Sequence, residues 1–85
     1  KFTMTKEEVF ETVKNVVVEE LDVDEDQVTL DAKIKDDLEA DSLDVFEIMN
    51  ELEDKFDIQL DVEEGIETIG DVVDFVKKQL DEKDA

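Results

Sequence analysis

Apolar residues recur with a helical period in three stretches of the chain. Between Thr5 and Leu21, Val9, Phe10, Val13, Val16, Val17 and Leu21 fall on one stripe. Thr5 stands ahead of it with Glu8 three residues on, the spacing of a capping box. From Ser42 to about Phe56, Val45, Ile48, Met49, Leu52 and Phe56 share one arc, and Asp44, Glu47, Glu51 and Asp54 share another. Leu43 and Phe46 belong to neither arc and border the acidic one. From about Thr68 to Leu80, the stripe is Ile69, Val72, Val73, Val76 and Leu80, with Thr68 as cap and Asp71 three residues after it. Lys77, Lys78 and Lys83 near its end suit the helix dipole.

The intervening segments read differently. Residues 22–41 show no sustained period, yet Val23, Val28, Leu30, Ile34 and Leu38 are spread through them. A loop this long is uncommon in a small domain and often functional. It is expected to cross the domain with those apolar side chains tucked into the core, and "IKDDL" can form one helical turn. In "FDIQLDV", Phe56, Ile58, Leu60 and Val62 alternate as in a strand. A lone strand has no partner here, so an extended connector is expected, followed by a short helical turn near Val62–Ile66 that ends around Gly65. The fold expected is all-α, a small antiparallel bundle of three long helices plus a short one, with a long first loop. A chain of 85 residues makes one domain, 1–85, with its core over about 5–80 and a frayed tail at 81–85.

Composition narrows the chemistry. Cysteine and histidine are absent. This removes disulfides, thiolate nucleophiles, the usual general base and the commonest zinc ligands. No apolar run approaches the ~20 residues of a membrane-spanning helix, and no signal peptide is visible; a cytoplasmic protein is expected. Asp and Glu number 29 against 9 lysines, a net charge of −20. Such a surface repels nucleic acid and anionic lipid, attracts basic protein patches and divalent cations, and favours a monomer. Charge this high can signal disorder, but a hydrophobic share of 40% in periodic register argues for a folded chain.

Ser42 is the candidate for chemistry. With Asp44 and Glu47 close behind, it reads first as an ordinary helix cap. Asp41 can take that role instead, which would leave the Ser42 hydroxyl at the first helical position and facing outward. Serine needs a base to act as a nucleophile. The chain has no histidine, and no lysine lies within two residues of Ser42, so self-catalysis is not expected and the protein is not read as an enzyme. An exposed serine at a helix start is, however, a good acceptor for a phosphate-linked group, which the helix N-terminus stabilises.

The stretch "ADSLDVFEIMNELEDKF" resembles the acyl carrier protein family, whose hallmark is Asp-Ser-Leu at the start of the second helix. The likeness extends from about Val9 to Leu80 and includes "VEELDVDEDQVTLDAKIKDDLEADSLD". The resemblance implies a phosphoprotein. Ser42, flanked by Asp41 and Leu43, would carry 4′-phosphopantetheine, transferred from coenzyme A by a separate magnesium-dependent transferase. The thiol of that arm would hold acyl groups as thioesters and shuttle them between the enzymes of fatty acid synthesis. It also implies that Asp44, Glu47, Glu51 and Asp54 dock basic patches on partner enzymes, with Leu43 and Phe46 as apolar anchors and Asp37 and Asp41 extending the acidic surface. Contact of Leu43 and Phe46 with the loop, at Leu38 for instance, is the plainer alternative. Carriers of this kind can sequester acyl chains between their helices, and this aliphatic core is compatible with that. Two departures stand out: Glu39 occupies a position where the family often has glycine, and Asn50 one where it often has an aliphatic residue.

Rival readings remain. "DVDED" at 22–26 resembles the start of an EF-hand loop, but the sixth and twelfth places hold Gln27 and Lys33 rather than Gly and Glu, so no metal site is expected. An acidic decoy that mimics nucleic acid is a second alternative. A carrier of polyketide, aminoacyl or D-alanyl groups is a third, with the same attachment chemistry.

Overall fold

The computed structural model describes residues 4–59 and 66–84. Three long helices form: α1 at Lys6–Leu21, α2 at Ser42–Phe56 and α3 at Ile69–Asp84. The all-α reading holds, and among the described residues there is no strand. The expected short turn near Val62–Ile66 lies outside the described residues except for Ile66, as do Leu60–Val62 of the expected connector.

Each long helix starts where local chemistry supplies partners for its first N–H groups. The Glu8 N–H donates to Thr5 Oγ1 at 3.2 Å, and the Thr5 N–H donates to Glu8 Oε1 at 2.9 Å. At α3 the Asp71 N–H donates to Thr68 Oγ1 at 3.1 Å. The Asp71 carboxylate accepts in return from the N–H groups of Thr68 at 3.1 Å and Glu67 at 3.0 Å. These bonds hold the Asp71 carboxyl below its ordinary value, the Glu67 bond foremost. Helices α1 and α2 end on aspartates in the left-handed region, Asp22 at φ 55° and Asp57 at φ 54°. Aspartate tolerates this conformation better than most residues.

The third helix continues to Asp84, past the expected end at Leu80, so residues 81–84 are helical rather than a departure from the helix. No glycine or proline stops the chain there, and Lys77 Nζ donates to Asp81 Oδ1 one turn on at 2.6 Å. A further short 3-10 turn, which periodicity does not show, occupies Glu25–Gln27. Lys14 ties it to α1. Its ammonium pairs with Glu11 at 2.8 Å and reaches Glu25 at 4.0 Å, while lying 5.5 Å from the centre of the Phe10 ring. The bond to Glu11 raises the Lys14 pKa above its ordinary value.

The stripes meet in one core. Val9, Val13, Val16 and Val17 of α1, Ile48, Met49, Leu52 and Phe56 of α2, and Ile69, Val72, Val73 and Val76 of α3 are buried, with Phe10, Leu21, Val45 and Leu80 half-buried at its rim. Truncating a fully enclosed side chain such as Leu52 to alanine would cost about 2–5 kcal/mol. No polar or charged residue is buried among those described. The segment between α1 and α2 adds Val28, Ala32, Ile34, Leu38 and Ala40. Leu30 corrects the expectation for this loop: it is 43% exposed, because its carbonyl turns to the Gly70 N–H at 2.9 Å while the small Ala32 enters the core. Val23 is only half-buried. The expected turn at "IKDDL" forms, with the Asp37 and Leu38 N–H groups both donating to the Lys33 carbonyl, at 2.8 and 3.1 Å.

Candidate functional site

The site is the start of α2 and the turn that delivers it. Ala40 is buried, and its N–H donates to the Ile34 carbonyl at 3.1 Å, which anchors the chain two residues before Ser42. Glu39 ahead of it adopts φ 57°. The backbone therefore makes the left-handed turn that glycine would make easily, and makes it with a side chain present. Asp41 is the N-cap, extended at φ −93° and ψ −178°. Its Oδ1 accepts the Asp44 N–H at 2.9 Å, its own N–H donates to Asp44 Oδ2 at 3.2 Å, and its carbonyl accepts the first helical bond, from Val45 at 3.0 Å.

Capping is thus done by Asp41, and Ser42 is released from it. Ser42 is exposed, and its side chain bonds to no other described residue. It sits at the first position of a 15-residue helix, where backbone N–H groups lack intrahelical partners and the helix dipole favours an anion. The position fits a phosphodiester formed on the Ser42 hydroxyl.

The surrounding candidates divide by what their side chains already do. Leu43 and Phe46 are 63% and 55% exposed, while Leu38 is buried in the core, so they do not pack away under the loop. Glu47 and Asp54 are exposed and Glu51 is half-buried. None of these three forms an ion pair with a described residue. Asp44 lies on the same face but is half-buried, with its carboxylate on the Asp41 N–H. Asp37 is likewise engaged, its Oδ2 accepting the Lys33 N–H at 2.9 Å. Sequence reasoning missed these local roles, which only the three- and four-residue spacings Asp41–Asp44 and Lys33–Asp37 could have signalled. Asn50 is exposed on α2. Among the described residues no group of three or more acidic side chains is placed to hold a metal ion, and no helix is long and apolar enough to cross a membrane.

Comparison with known proteins identifies the family. Residues 11–76 match the family model described as a phosphopantetheine attachment site. An acyl carrier protein of Streptococcus pyogenes is 51% identical over 71 residues, covering 84% of this chain and 95% of the relative. One of Borrelia garinii is 42% identical over 78 residues, covering 89% and 98%. Among solved structures, an acyl carrier protein from Enterococcus faecalis, described for its high thermal stability, superposes with a TM-score of 0.73 at 44% identity, covering 89% of this chain and 99% of the other. With a matching family model over most of its length and relatives this similar, the chain belongs to the acyl carrier protein family, whose members are phosphopantetheine-bearing carriers rather than catalysts.

Proposed function

We propose that Ser42 is the attachment point for 4′-phosphopantetheine and that the loaded protein shuttles acyl groups between the enzymes of fatty acid synthesis in the cytoplasm, as a monomer. One observation carries the assignment: Asp41 caps α2, and Ser42 is left exposed with an unengaged hydroxyl at the helix N-terminus. A separate transferase would take the Ser42 proton and join the Ser42 oxygen to the pantetheine-bearing phosphorus of coenzyme A, breaking the pyrophosphate bond and releasing adenosine 3′,5′-bisphosphate. The group supplies a terminal thiol that holds acyl cargo as a thioester. The protein supplies the position, at a helix end that stabilises the phosphodiester.

Leu43 and Phe46 serve as apolar anchors for partner enzymes, flanked by Glu47, Glu51 and Asp54. Asp44 and Asp37 add negative charge while their carboxylates bond to backbone. Basic patches on the partners are steered to this face, which speeds encounter more than it deepens affinity. The direct experiment is incubation with coenzyme A, magnesium and a broad-specificity phosphopantetheinyl transferase, followed by intact mass. A gain of one phosphopantetheine that is lost in Ser42→Ala supports the assignment. No gain on a folded, unmodified sample returns Ser42 to a surface helix residue.

A further inference from the structure

The first loop crosses to the start of α3 and is held there by backbone. The Ile34 N–H donates to the Glu67 carbonyl at 2.9 Å, and the Ile69 N–H to the Ala32 carbonyl at 3.0 Å. At this junction lies a recess of about 410 Å³, lined by Lys33, Lys35, Asp36, Ile66 and Glu67. Its volume suits a small ligand. Elsewhere Lys6 pairs with Asp74, Lys14 with Glu11 and Lys77 with Asp81. Lys33 and Lys35 are exposed, and neither ammonium pairs with a carboxylate of the described residues. Two unpaired cations on one recess stand out in a chain of net charge −20. Asp36 and Glu67 oppose them, so the recess is locally balanced in charge. The α2 face beside Ser42 is not: it carries Asp44, Glu47 and Glu51, and residues 42–54 include no lysine.

We propose that Lys33 and Lys35 bind the free carboxylate of a cargo acyl group that ends in one, a dicarboxylic unit held as a half-thioester. This rests on the reading of Ser42 as the attachment point. The recess is within reach of that point. Ile34, between the two lysines, accepts the Ala40 N–H at 3.1 Å, and Ser42 lies two residues on. The Cα atoms of Ala40 and Ser42 are therefore no more than about 8 Å apart, and an extended phosphopantetheine arm is longer than this. Such a cargo has few other places to go. The described core holds no polar side chain, and an ionised carboxylate does not enter it without a partner. The acidic face of α2 repels it. At the recess it meets two ammonium groups, while the half-buried Ile66 offers an apolar wall to the rest of the acyl unit. Exposed lysines bind a carboxylate weakly. Tethering offsets this, because an arm on Ser42 holds its end at an effective concentration on the order of millimolar.

The test loads the nitrogen-15-labelled protein in one step, from malonyl coenzyme A or acetoacetyl coenzyme A, with a broad-specificity phosphopantetheinyl transferase. The two acyl groups are close in size and shape, and only malonyl ends in a carboxylate. Amide shifts of Lys33, Lys35, Ile66 and Glu67 should differ between the two loaded forms. In Lys33→Gln/Lys35→Gln that difference should be lost, and in Lys33→Arg/Lys35→Arg it should persist. In the native protein it should also shrink as salt is added. Identical shifts around the recess in the two loaded forms overturn the carboxylate site and leave Ser42 as the attachment point. A malonyl-specific change confined to the start of α2, or one that survives the glutamine substitutions, overturns it as well. Failure of both groups to load on a folded, unmodified sample overturns the Ser42 reading and the recess with it.

Discussion

Asp41 and Asp44 exchange hydrogen bonds across the start of α2, each carboxylate accepting the other's N–H. Two acidic residues of the site are thereby structural, and the serine between them is not. Asp41→Ala should cost about 1 kcal/mol in urea unfolding, the usual loss on removing a cap. Ser42→Ala should change stability by less than about 0.5 kcal/mol, as an exposed substitution does. The reverse order would make Ser42 the cap and remove the observation on which its assignment rests.

The turn before this cap carries strain that a substitution can relieve. Glu39 holds φ 57°, a conformation that costs most L-residues roughly 1–2 kcal/mol. Glycine removes that cost but loses more entropy on folding. Glu39→Gly should therefore be mildly stabilising, by about 0.5 kcal/mol. Glu39→Val, β-branched, should be less stable than the native chain. The order Gly, Glu, Val in thermal melts is the test, and a Val variant as stable as the native protein would mean that the turn is not left-handed.

Docking should separate from stability at residues whose side chains are free of local roles. Phe46 is 55% exposed, so Phe46→Ala should leave the melting temperature nearly unchanged while slowing transfer by partner enzymes. Reversal of Glu47 and Glu51 to lysine should slow transfer by about tenfold at low salt, with the deficit shrinking as ionic strength rises. A salt-independent deficit would point to lost contacts rather than steering. Asp44→Lys would also break the cap, so its kinetic effect needs correction for lost fold.

How far the sequence discloses this architecture depends on how local each signal is. Thr5 with Glu8 and Thr68 with Asp71 announce helix starts because cap and partner lie three residues apart, and the stripes repeat within one turn. The backbone pairing of the first loop with the start of α3 has no such signature. Its partners, residues 30–34 and 67–70, are far apart in sequence, and backbone bonds leave no mark on residue type. Bulk misleads there as well: Leu30 looks like a core residue, yet it is exposed while the small Ala32 and Ala40 are buried. Asp-Ser-Leu leaves two cap candidates, and only the geometry assigns the bond to Asp41.

The Asp71 carboxylate gives the fold a defined response to acid. Its pKa is depressed from the ordinary 3.8, because the Glu67 and Thr68 N–H groups bond to the charged form. A group depressed in the folded state stabilises fully above its unfolded pKa, and that contribution is lost as pH falls through the folded value. Asp71→Asn should therefore cost about 1 kcal/mol near neutral pH. The difference from the native chain should shrink below pH ~4. Total stability is the wrong readout, since acid also relieves repulsion in a chain of net charge −20. The native-minus-variant difference in urea midpoint isolates the Asp71 contribution, and a difference that is flat from pH 7 to pH 3 would refute it.

Gly70 offers the most direct check on how residues 30–34 are held to the start of α3. It is the second residue of α3, where alanine is still preferred to glycine but by less than the ~0.5–1 kcal/mol of a helix interior. Here the added methyl would stand 2.9 Å from the Leu30 carbonyl oxygen, a backbone atom that can retreat only if residues 30–34 move. Such overpacking costs about 1–3 kcal/mol, so the clash should outweigh the helix preference and Gly70→Ala should be destabilising. The loss should be local as well as global, with faster hydrogen exchange at Ile69, Gly70 and Ile34 than at Val13 or Leu52. A stabilised Gly70→Ala protein would mean that the backbone at Leu30 gives way freely, so that Ile34 and Ala32 reach the core without the Leu30–Gly70 contact.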